Sequence, residues 1–163
     1  MRGMKTVMHC HNFFETIYVY QGTCDLIVDF KEIKLRAGDL CMLNLQAVHS
    51  LALPSEGGGV VFNILAQKSF FETKYFDLLL QEDPITEFFL SSLENKRRTE
   101  HYILFHRDSP ECLYEARAQK IIQEYARDFK HQGSLVKLDY AALLIELAQH
   151  YQANVKQESH QEL

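Results

Sequence analysis

The first part of the chain, from Lys5 to about Leu65, carries apolar residues mostly at the short spacing of β-strands. Turn-forming residues interrupt this pattern at Gln21-Gly22, at Ala37-Gly38-Asp39 and between Pro54 and Gly59. Short apolar runs that are separated by turns containing glycine and proline are typical of antiparallel strands. The pattern therefore predicts an antiparallel β domain over this part of the chain.

Polar and apolar positions alternate within one of these runs. Asp25 and Asp29 fall on one face of a strand together with Ile27, because side chains two positions apart point the same way. Charged side chains favour solvent, so we expect the aspartate face to be exposed. The opposite face is predicted to point into the interior: Leu26, Val28 and Phe30.

After Gln67 the apolar residues fall three and four positions apart, which is the spacing of helices. Two short helices are predicted here, and Pro84 separates them. Asp83 is expected to cap the second helix and Pro84 to be its first residue. A charged loop is predicted from Glu94 to Glu100, and a strand from His101 to His106 then completes the β domain.

Two longer helices are predicted from Pro110 onward. The first ends at Gln132-Gly133, and the second begins with Ser134 as its N-cap and runs to Tyr151. The second helix is apolar around most of its circumference, so we expect it to form the interface of a homodimer. The alternative is a helix that packs wholly on its own domain. The expected interface residues are Ile121, Ile122, Tyr125, Phe129, Leu144, Leu147 and Tyr151.

Composition and charge narrow the classes of protein. The chain has 163 residues, of which 47% are hydrophobic, and this suits one domain with a helical appendage. Its formal net charge of -5 disfavours binding to the phosphate backbone of nucleic acids. It has 4 cysteines without a C-x-x-C pair, no signal peptide and no long apolar run. We therefore expect a soluble, cytoplasmic protein that does not contact a membrane.

Three histidines and a glutamate are the residues with the most evident chemistry. His9 and His11 point the same way on a strand, Glu15 follows after a kink, and His49 lies beyond a glycine-containing turn. Imidazole and carboxylate groups are ligands for Zn, Fe, Mn or Ni, so these four residues are candidate metal ligands. The alternative is a polar lining that binds an effector or water. Cys10 points the opposite way, which argues against a nucleophilic cysteine.

The apolar walls of the same pocket are predicted from strand alternation. Ile17 shares a face with Glu15, and the outward aspartates place the alternate residues of the next strand inside. The predicted apolar wall consists of Ile17, Leu26, Val28 and Met42. Together with the four polar residues, they form the candidate effector-binding site.

The spacing of these residues resembles the two sequence motifs of the cupin superfamily. Gly3, His9-x-His11, Glu15 and Gly22 match the first motif at every spacing. The second motif is matched in part by Gly38-Asp39 and His49. Three positions depart from it: Asn44 replaces a proline, Gln46 a glycine and Leu53 an asparagine. The departures concern the turn before His49, and therefore the direction of its side chain.

The chain as a whole, including the motif segments, resembles the sensor domains of AraC-family transcription regulators. The resemblance is carried by the His9 to Glu15 segment, the Leu35 to Leu40 turn, Val48-His49-Ser50 and the later helices. It implies a mainly β fold with α-helices: a cupin-like barrel, also called a double-stranded β-helix or jelly roll, followed by C-terminal helices. It also implies a barrel that binds a small effector, helices that dimerise, and a separate domain with two helix-turn-helix units that binds DNA.

That DNA-binding domain is not part of this sequence, so we expect the chain to be the sensing part of a longer protein. Its expected organisation is a cupin-like barrel with inserted short helices over 1–108, a dimerising helical segment over 109–152, and a linker or disordered tail over 153–163. We expect a binding module and not an enzyme. The alternative is a metal-dependent cupin enzyme, a dioxygenase or an isomerase, in which His9, His11, Glu15 and His49 bind the metal.

Overall fold

The computed structural model describes residues 5–54, 56–77, 83–109 and 112–161, with residues 75 and 153–161 described by their backbone alone. The chain divides into two compact units. The first contains Met1–Phe70 and Phe89–Pro110, and the second contains Phe71–Phe88 and Glu111–Leu163. The segment Phe71–Phe88, which the sequence analysis placed as an insertion in the barrel, belongs to the second unit.

The first unit contains two antiparallel sheets, as the apolar spacing predicts. One sheet has the strand order β6-β1-β4-β7 and the other has the order β3-β2-β5. The strands are β1 (Phe13–Gln21), β2 (Thr23–Val28), β3 (Lys31–Arg36), β4 (Leu40–Leu43), β5 (His49–Ala52), β6 (Val60–Gln67) and β7 (Tyr102–Phe105). This arrangement confirms the predicted cupin-like β fold.

The interior of this unit is an apolar cluster to which both sheets contribute. Ile17 and Cys41 oppose each other on β1 and β4, and both are fully buried in the cluster. Leu26 and Val28 on β2 belong to the same cluster, as predicted. Met42 is also buried, but it opposes Thr16 on the other face of the sheet. Cys41 therefore takes the place in the interior that was predicted for Met42.

The turn between β2 and β3 corrects a second prediction. Asp29 and Phe30 both have left-handed backbones, with φ of 51° and 61°, and Val28 opposes Lys31 directly across the turn. Strand alternation therefore ends at Val28. Phe30 is 92% exposed instead of facing the interior. The Asp29 carboxylate accepts hydrogen bonds from the backbone N–H and from the ring of His101, which ties the turn to the start of β7.

A glycine is required at the corner between β1 and β2. Gly22 has a φ of +74°, which L-residues rarely adopt. A Cβ atom there would lie 2.2 Å from the carbonyl oxygen of Gly58. The glycine that ends the first motif is thus needed for its backbone angle and for the close approach of the loop before β6.

The helices are α1 (Lys74–Asp77), α2 (Pro84–Leu93), α3 (Leu113–Tyr125) and α4 (Gln132–Gln161), and a short 3-10 helix precedes α1. The predicted cap of α2 is confirmed. Asp83 Oδ1 accepts hydrogen bonds from the backbone N–H groups of Ile85 at 2.8 Å and Thr86 at 3.0 Å. These bonds satisfy two of the N–H groups that have no partner within the helix.

The boundaries of α3 and α4 differ from the prediction. α3 ends at Tyr125, so Phe129 lies beyond it, and α4 already begins at Gln132. The side-chain amide of Gln132 donates hydrogen bonds to the carbonyls of Glu124 and Tyr125 at the end of α3. Gln132 thus caps α3 from the next helix. α4 also continues to Gln161, so most of the predicted tail over 153–163 is helical.

α3 and α4 pack against each other within the second unit. Arg117 on α3 forms ion pairs with Asp139 at 2.7 Å and Glu146 at 3.0 Å on α4. Beneath these ion pairs the apolar faces of the two helices are buried. The buried residues are Tyr114, Ala118 and Ile121 on α3 and Tyr140, Ala141, Leu143, Leu144 and Leu147 on α4.

Candidate functional site

The four predicted polar residues come together at one end of the barrel. Glu15 lies on β1, His11 precedes that strand, and His49 is the first residue of β5. One oxygen of Glu15, Oε2, lies 2.7 Å from Nε2 of His11 and 3.0 Å from Nε2 of His49. Glu15 and His49 are both buried. The two sheets are thereby joined through a carboxylate and an imidazole.

His9 reaches the same place on a short segment that runs beside β5. The backbones of His9 and His49 exchange two hydrogen bonds, of 3.0 and 2.9 Å, and Thr6 bonds to Leu51 further along. The ring centroids of His9 and His49 are 4.4 Å apart. The H-x-H pair is therefore split between this segment and the start of β1, and both of its rings face His49.

The backbone around the histidines defines which ring nitrogen carries the proton. Nδ1 of His9 lies 2.7 Å from the carbonyl oxygen of Val7, and Nδ1 of His11 lies 2.8 Å from that of Phe13. A carbonyl oxygen can only accept a hydrogen bond, so each Nδ1 must be the donor. In the neutral ring the lone pair then lies on Nε2. This is the arrangement that orients histidine ligands in metal sites.

Each contact of Glu15 needs a proton or a cation between the oxygen and the imidazole nitrogen. If His11 and His49 were both neutral with their lone pairs on Nε2, these lone pairs would face an anionic oxygen and repel it. A proton on an imidazole, or a metal ion between the groups, removes the repulsion. Burial by itself would raise the pKa of Glu15, but hydrogen bonds from His49 and His11 outweigh it and lower the pKa below its ordinary value.

The geometry of the three imidazoles fits a divalent metal ion. One ligand atom from each of His9, His11 and His49 can be chosen so that all lie within 4.8 Å of one another. Nitrogen ligands about 2 Å from a tetrahedral ion lie about 3.3 Å apart, so the three rings would bind one ion after small side-chain rotations. Glu15 does not belong to this group of three, but its carboxylate contacts two of the imidazoles. Three nitrogen ligands and a nearby carboxylate suit zinc, iron, manganese or nickel.

Strand pairing adds residues to the site that the sequence did not single out. Leu43 on β4 and Leu65 on β6 oppose Glu15 directly from its two sides. Both therefore point to the face that carries the cluster. Of the predicted apolar wall, Ile17, Leu26 and Val28 lie in the interior below it. Sequence alternation could not find Leu43 and Leu65, because the register between strands is decided by the turns that connect them.

The cysteines offer no activated nucleophile in the barrel interior. Cys24 and Cys41 are fully buried, and burial is the main reason why both thiols have raised pKa values, about 12 for Cys24. The thiolate is the reactive form, so both are unreactive at neutral pH. Cys10 is a free and exposed thiol between the two histidines of the H-x-H pair.

The residues predicted for the dimer interface differ in burial. Ile121, Leu144 and Leu147 are buried within the chain itself, so they are not available to a partner. Tyr125 and Phe129 are exposed, and Ile122 and Tyr151 are half-buried. Among the described side chains of α4, the large apolar residues that stay exposed are others: Leu135, Leu138 and Ile145.

Comparisons with known proteins agree with this architecture. Solved structures of ToxT from Vibrio cholerae have the same fold at low sequence identity. An apo variant from strain SCE256 has a TM-score of 0.62 and 12% identity, and the match covers 93% of this chain and 54% of that one. ToxT from strain O395, bound to (E)-4-(8-methylnaphthalen-1-yl)but-3-enoic acid, has a TM-score of 0.57 and 12% identity over 86% of this chain and 51% of that one.

A third ToxT structure, bound to an unsaturated fatty acid, has a TM-score of 0.54 and 10% identity over 86% of this chain and 49% of that one. The chain thus spans about half the length of the solved structures that it matches. No curated protein matches it by sequence. Within the described part of the chain, no helix has the length and apolarity needed to cross a bilayer. The family of AraC-like ligand binding domains matches residues 3–148, and the chain belongs to that family.

Proposed function

We propose that the chain is the effector-sensing part of a cytoplasmic transcription regulator, and that its effector binds at the histidine–glutamate cluster. The observation that carries the proposal is the convergence of three imidazoles and a carboxylate at one end of an apolar interior. Polar groups at the end of an apolar interior can orient a ligand whose apolar part contacts the surface beside them. The family match supports a ligand-binding module over the alternative of a metal-dependent enzyme.

Contact with DNA is proposed to be made by a separate domain. The chain has a formal net charge of -5, which disfavours the phosphate backbone. Effector binding would act by favouring one arrangement of the sensor over another, and the DNA-binding domain would respond to that difference. A gel-shift experiment at low salt with residues 1–163 alone should show no sequence-dependent retardation of duplex DNA. Tight and specific retardation would contradict this division of roles.

We propose to test first whether the cluster binds a divalent transition metal. His9, His11, His49 and Glu15 would be its ligands, because the Glu15 oxygen already contacts the Nε2 atoms of His11 and His49. When bound, such a metal supplies a positive charge and open coordination positions for an oxygen or nitrogen atom of the effector. The Nδ1–H groups of His9 and His11, which point to backbone carbonyls, would keep both Nε2 atoms available.

The pH dependence of binding distinguishes a metal from a directly bound effector. Metal affinity should fall as the pH drops from about 7.5 to about 5.5, because imidazole ligands must be deprotonated. Direct binding of an anionic effector should instead improve over the same range, because protonated histidines attract it. Elemental analysis of protein purified without added metal shows whether metal is bound. Titration with metal or with an anionic effector at both pH values then measures how the affinity changes. Stoichiometric metal that survives the double change His9→Ala and His49→Ala would place the metal elsewhere.

Homodimerisation is proposed through α4, but on a different face from the one that the sequence suggested. Leu135, Leu138 and Ile145 are partly exposed and lie three and seven positions apart, with the small Ala142 between them. This is the spacing of a coiled-coil seam, and two copies of such a helix can bury the same residues against each other. Light scattering should give a dimer mass for the wild-type chain, and a monomer for the double variant Leu135→Glu and Leu138→Glu.

A further inference from the structure

The inward face of β6 is the part of the barrel interior that is left open. Leu65 opposes Glu15 across β1, Asn63 opposes Ile17, and Val61 opposes Val19. Directly opposed residues in an antiparallel pair lie on the same face of the sheet. Val61 packs against the interior cluster, so Asn63 and Leu65, two and four positions further on, also point inward.

Residues on this face differ sharply in exposure between the two strands. Glu15 and Ile17 on β1 are buried, whereas Leu65 is 55% exposed and Asn63 is also exposed. An inward leucine of a closed barrel would be covered by the opposite sheet. The three-stranded sheet therefore covers the inward face of β1 but leaves the inward face of β6 uncovered at Asn63 and Leu65. The interior is open to solvent along β6, beside the histidine–glutamate cluster.

The position of this opening limits what can occupy it. Directly opposed side chains have their Cβ atoms about 4.5–5.5 Å apart, so a molecule in contact with the Glu15 cluster also reaches Leu65. Asn63 lies about 6.8 Å further along the strand, given the rise of two residues. An apolar group laid along β6 would cover Leu65 and remove its side chain from water. Asn63 adds an amide that can donate and accept hydrogen bonds at the far end.

We infer that the effector is an amphipathic small molecule that lies along β6, with a polar head at the histidine–glutamate cluster and an apolar body against Leu65. Leu65 is then a specificity residue for the length and shape of the apolar body. The inference rests on the proposed function, because it takes the cluster to be the site of the head. It is distinct from that function, since a cluster that binds only small polar molecules would leave Leu65 uncovered.

Two homologous series of probes test the inference. Isothermal titration calorimetry would measure the affinities of n-alkyl carboxylates from butanoate to decanoate and of n-alkanols of the same lengths. In the wild-type chain, affinity for at least one series should rise about fourfold for each methylene that becomes buried. Leu65→Asn should reduce this increment towards no change while leaving the shortest members unaffected. Val60→Ala, on the other end of the same strand, is the matched control and should keep the wild-type increment.

The outcomes separate the inference from the proposed function. His11→Gln should weaken every member of the series by a similar factor and keep the increment per methylene, because it alters only the head site. An unchanged increment in Leu65→Asn would overturn the role of Leu65, even with the head site intact. Affinities that stay unchanged in His11→Gln would count against the proposed head site. Absence of length dependence in the wild-type chain would overturn the amphipathic class. A change in oligomeric mass on substituting Leu65 would assign the face to a second copy instead.

Discussion

Oε2 of Glu15 lies 3.0 Å from Nε2 of His49, and this contact joins a strand of the four-stranded sheet to a strand of the three-stranded sheet. Because both side chains are buried, the charge of Glu15 depends on its imidazole neighbours for stabilisation. The same contact therefore contributes to the stability of the barrel end and lies at the centre of the proposed effector site. Any ligand that binds the cluster must replace or reorganise it.

The first prediction is that Glu15→Gln destabilises the chain in a pH-dependent way. Its hydrogen bonds to His49 and His11 lower the pKa of Glu15 in the folded state below its ordinary value of 4.5. A depressed pKa stabilises the folded state above the unfolded value, and this contribution disappears as the pH falls through the folded value. At pH 7 the substitution should cost about 1.5–3 kcal/mol, which is typical of hydrogen bonds to charged groups.

Urea denaturation at pH 7 and in steps below pH 4.5 would measure the effect. The difference between the wild-type chain and Glu15→Gln should shrink as the pH falls. Glu32→Gln is a matched control, because Glu32 is exposed on β3. Equal effects of the two substitutions at pH 7 would show that the buried contacts of Glu15 contribute no stability.

A second prediction distinguishes packing from partner contact on α4. Leu147 is fully buried, so Leu147→Ala should lower the free energy of unfolding by about 2–5 kcal/mol. Leu138 is 46% exposed, so Leu138→Ala should change the stability of a dilute sample by no more than about 0.5 kcal/mol. Sedimentation over a range of concentrations should show the opposite ranking, with a weaker dimer for Leu138→Ala. A large loss of stability from Leu138→Ala would mean that this face is already covered within the chain.

The reactivity of the thiols gives a third prediction. Cys10 is exposed, whereas burial raises the pKa of Cys24 to about 12 and also raises that of Cys41. Iodoacetamide at pH 8 should modify Cys10 in the native chain and reach Cys24 and Cys41 only after denaturation. Peptide mapping by mass spectrometry identifies the modified positions. Cys10→Ser should remove the native-state product, and rapid native modification of Cys24 would contradict the buried position of that residue.

A fourth prediction concerns the start of α2. Asp83 accepts hydrogen bonds from two backbone N–H groups of the first turn and from the Thr86 hydroxyl. Asp83→Ala should cost about 1 kcal/mol, the usual effect of losing an N-cap. Asp83→Asn keeps an oxygen acceptor and should cost much less, so it serves as the control. Thermal unfolding by circular dichroism measures both. Equal losses in the two variants would show that hydrogen bonding is not the origin of the effect.

Local features of the β domain could be predicted because they depend on neighbours in the sequence. Strand alternation placed Leu26 and Val28 inside, and the Asp83-Pro84 pair marked the start of α2. The spacing of the histidines and Glu15 identified the cluster that the fold assembles. Alternation failed at Phe30, where a two-residue turn with left-handed backbone angles ends the strand.

The sequence by itself determined the types of element, the family and the polar residues of the site, because spacing and turn chemistry are local properties. Only the tertiary structure decided which other residues lie beside the polar residues of the cluster. The strand register placed Leu65 opposite Glu15 and turned Met42 to the other face of the sheet. Tertiary packing buried Leu147 and left Leu138 exposed on a helix that is apolar on several sides. These outcomes depend on contacts between distant segments. A local pattern of apolar residues is equally compatible with either strand register and with either exposed face of the helix.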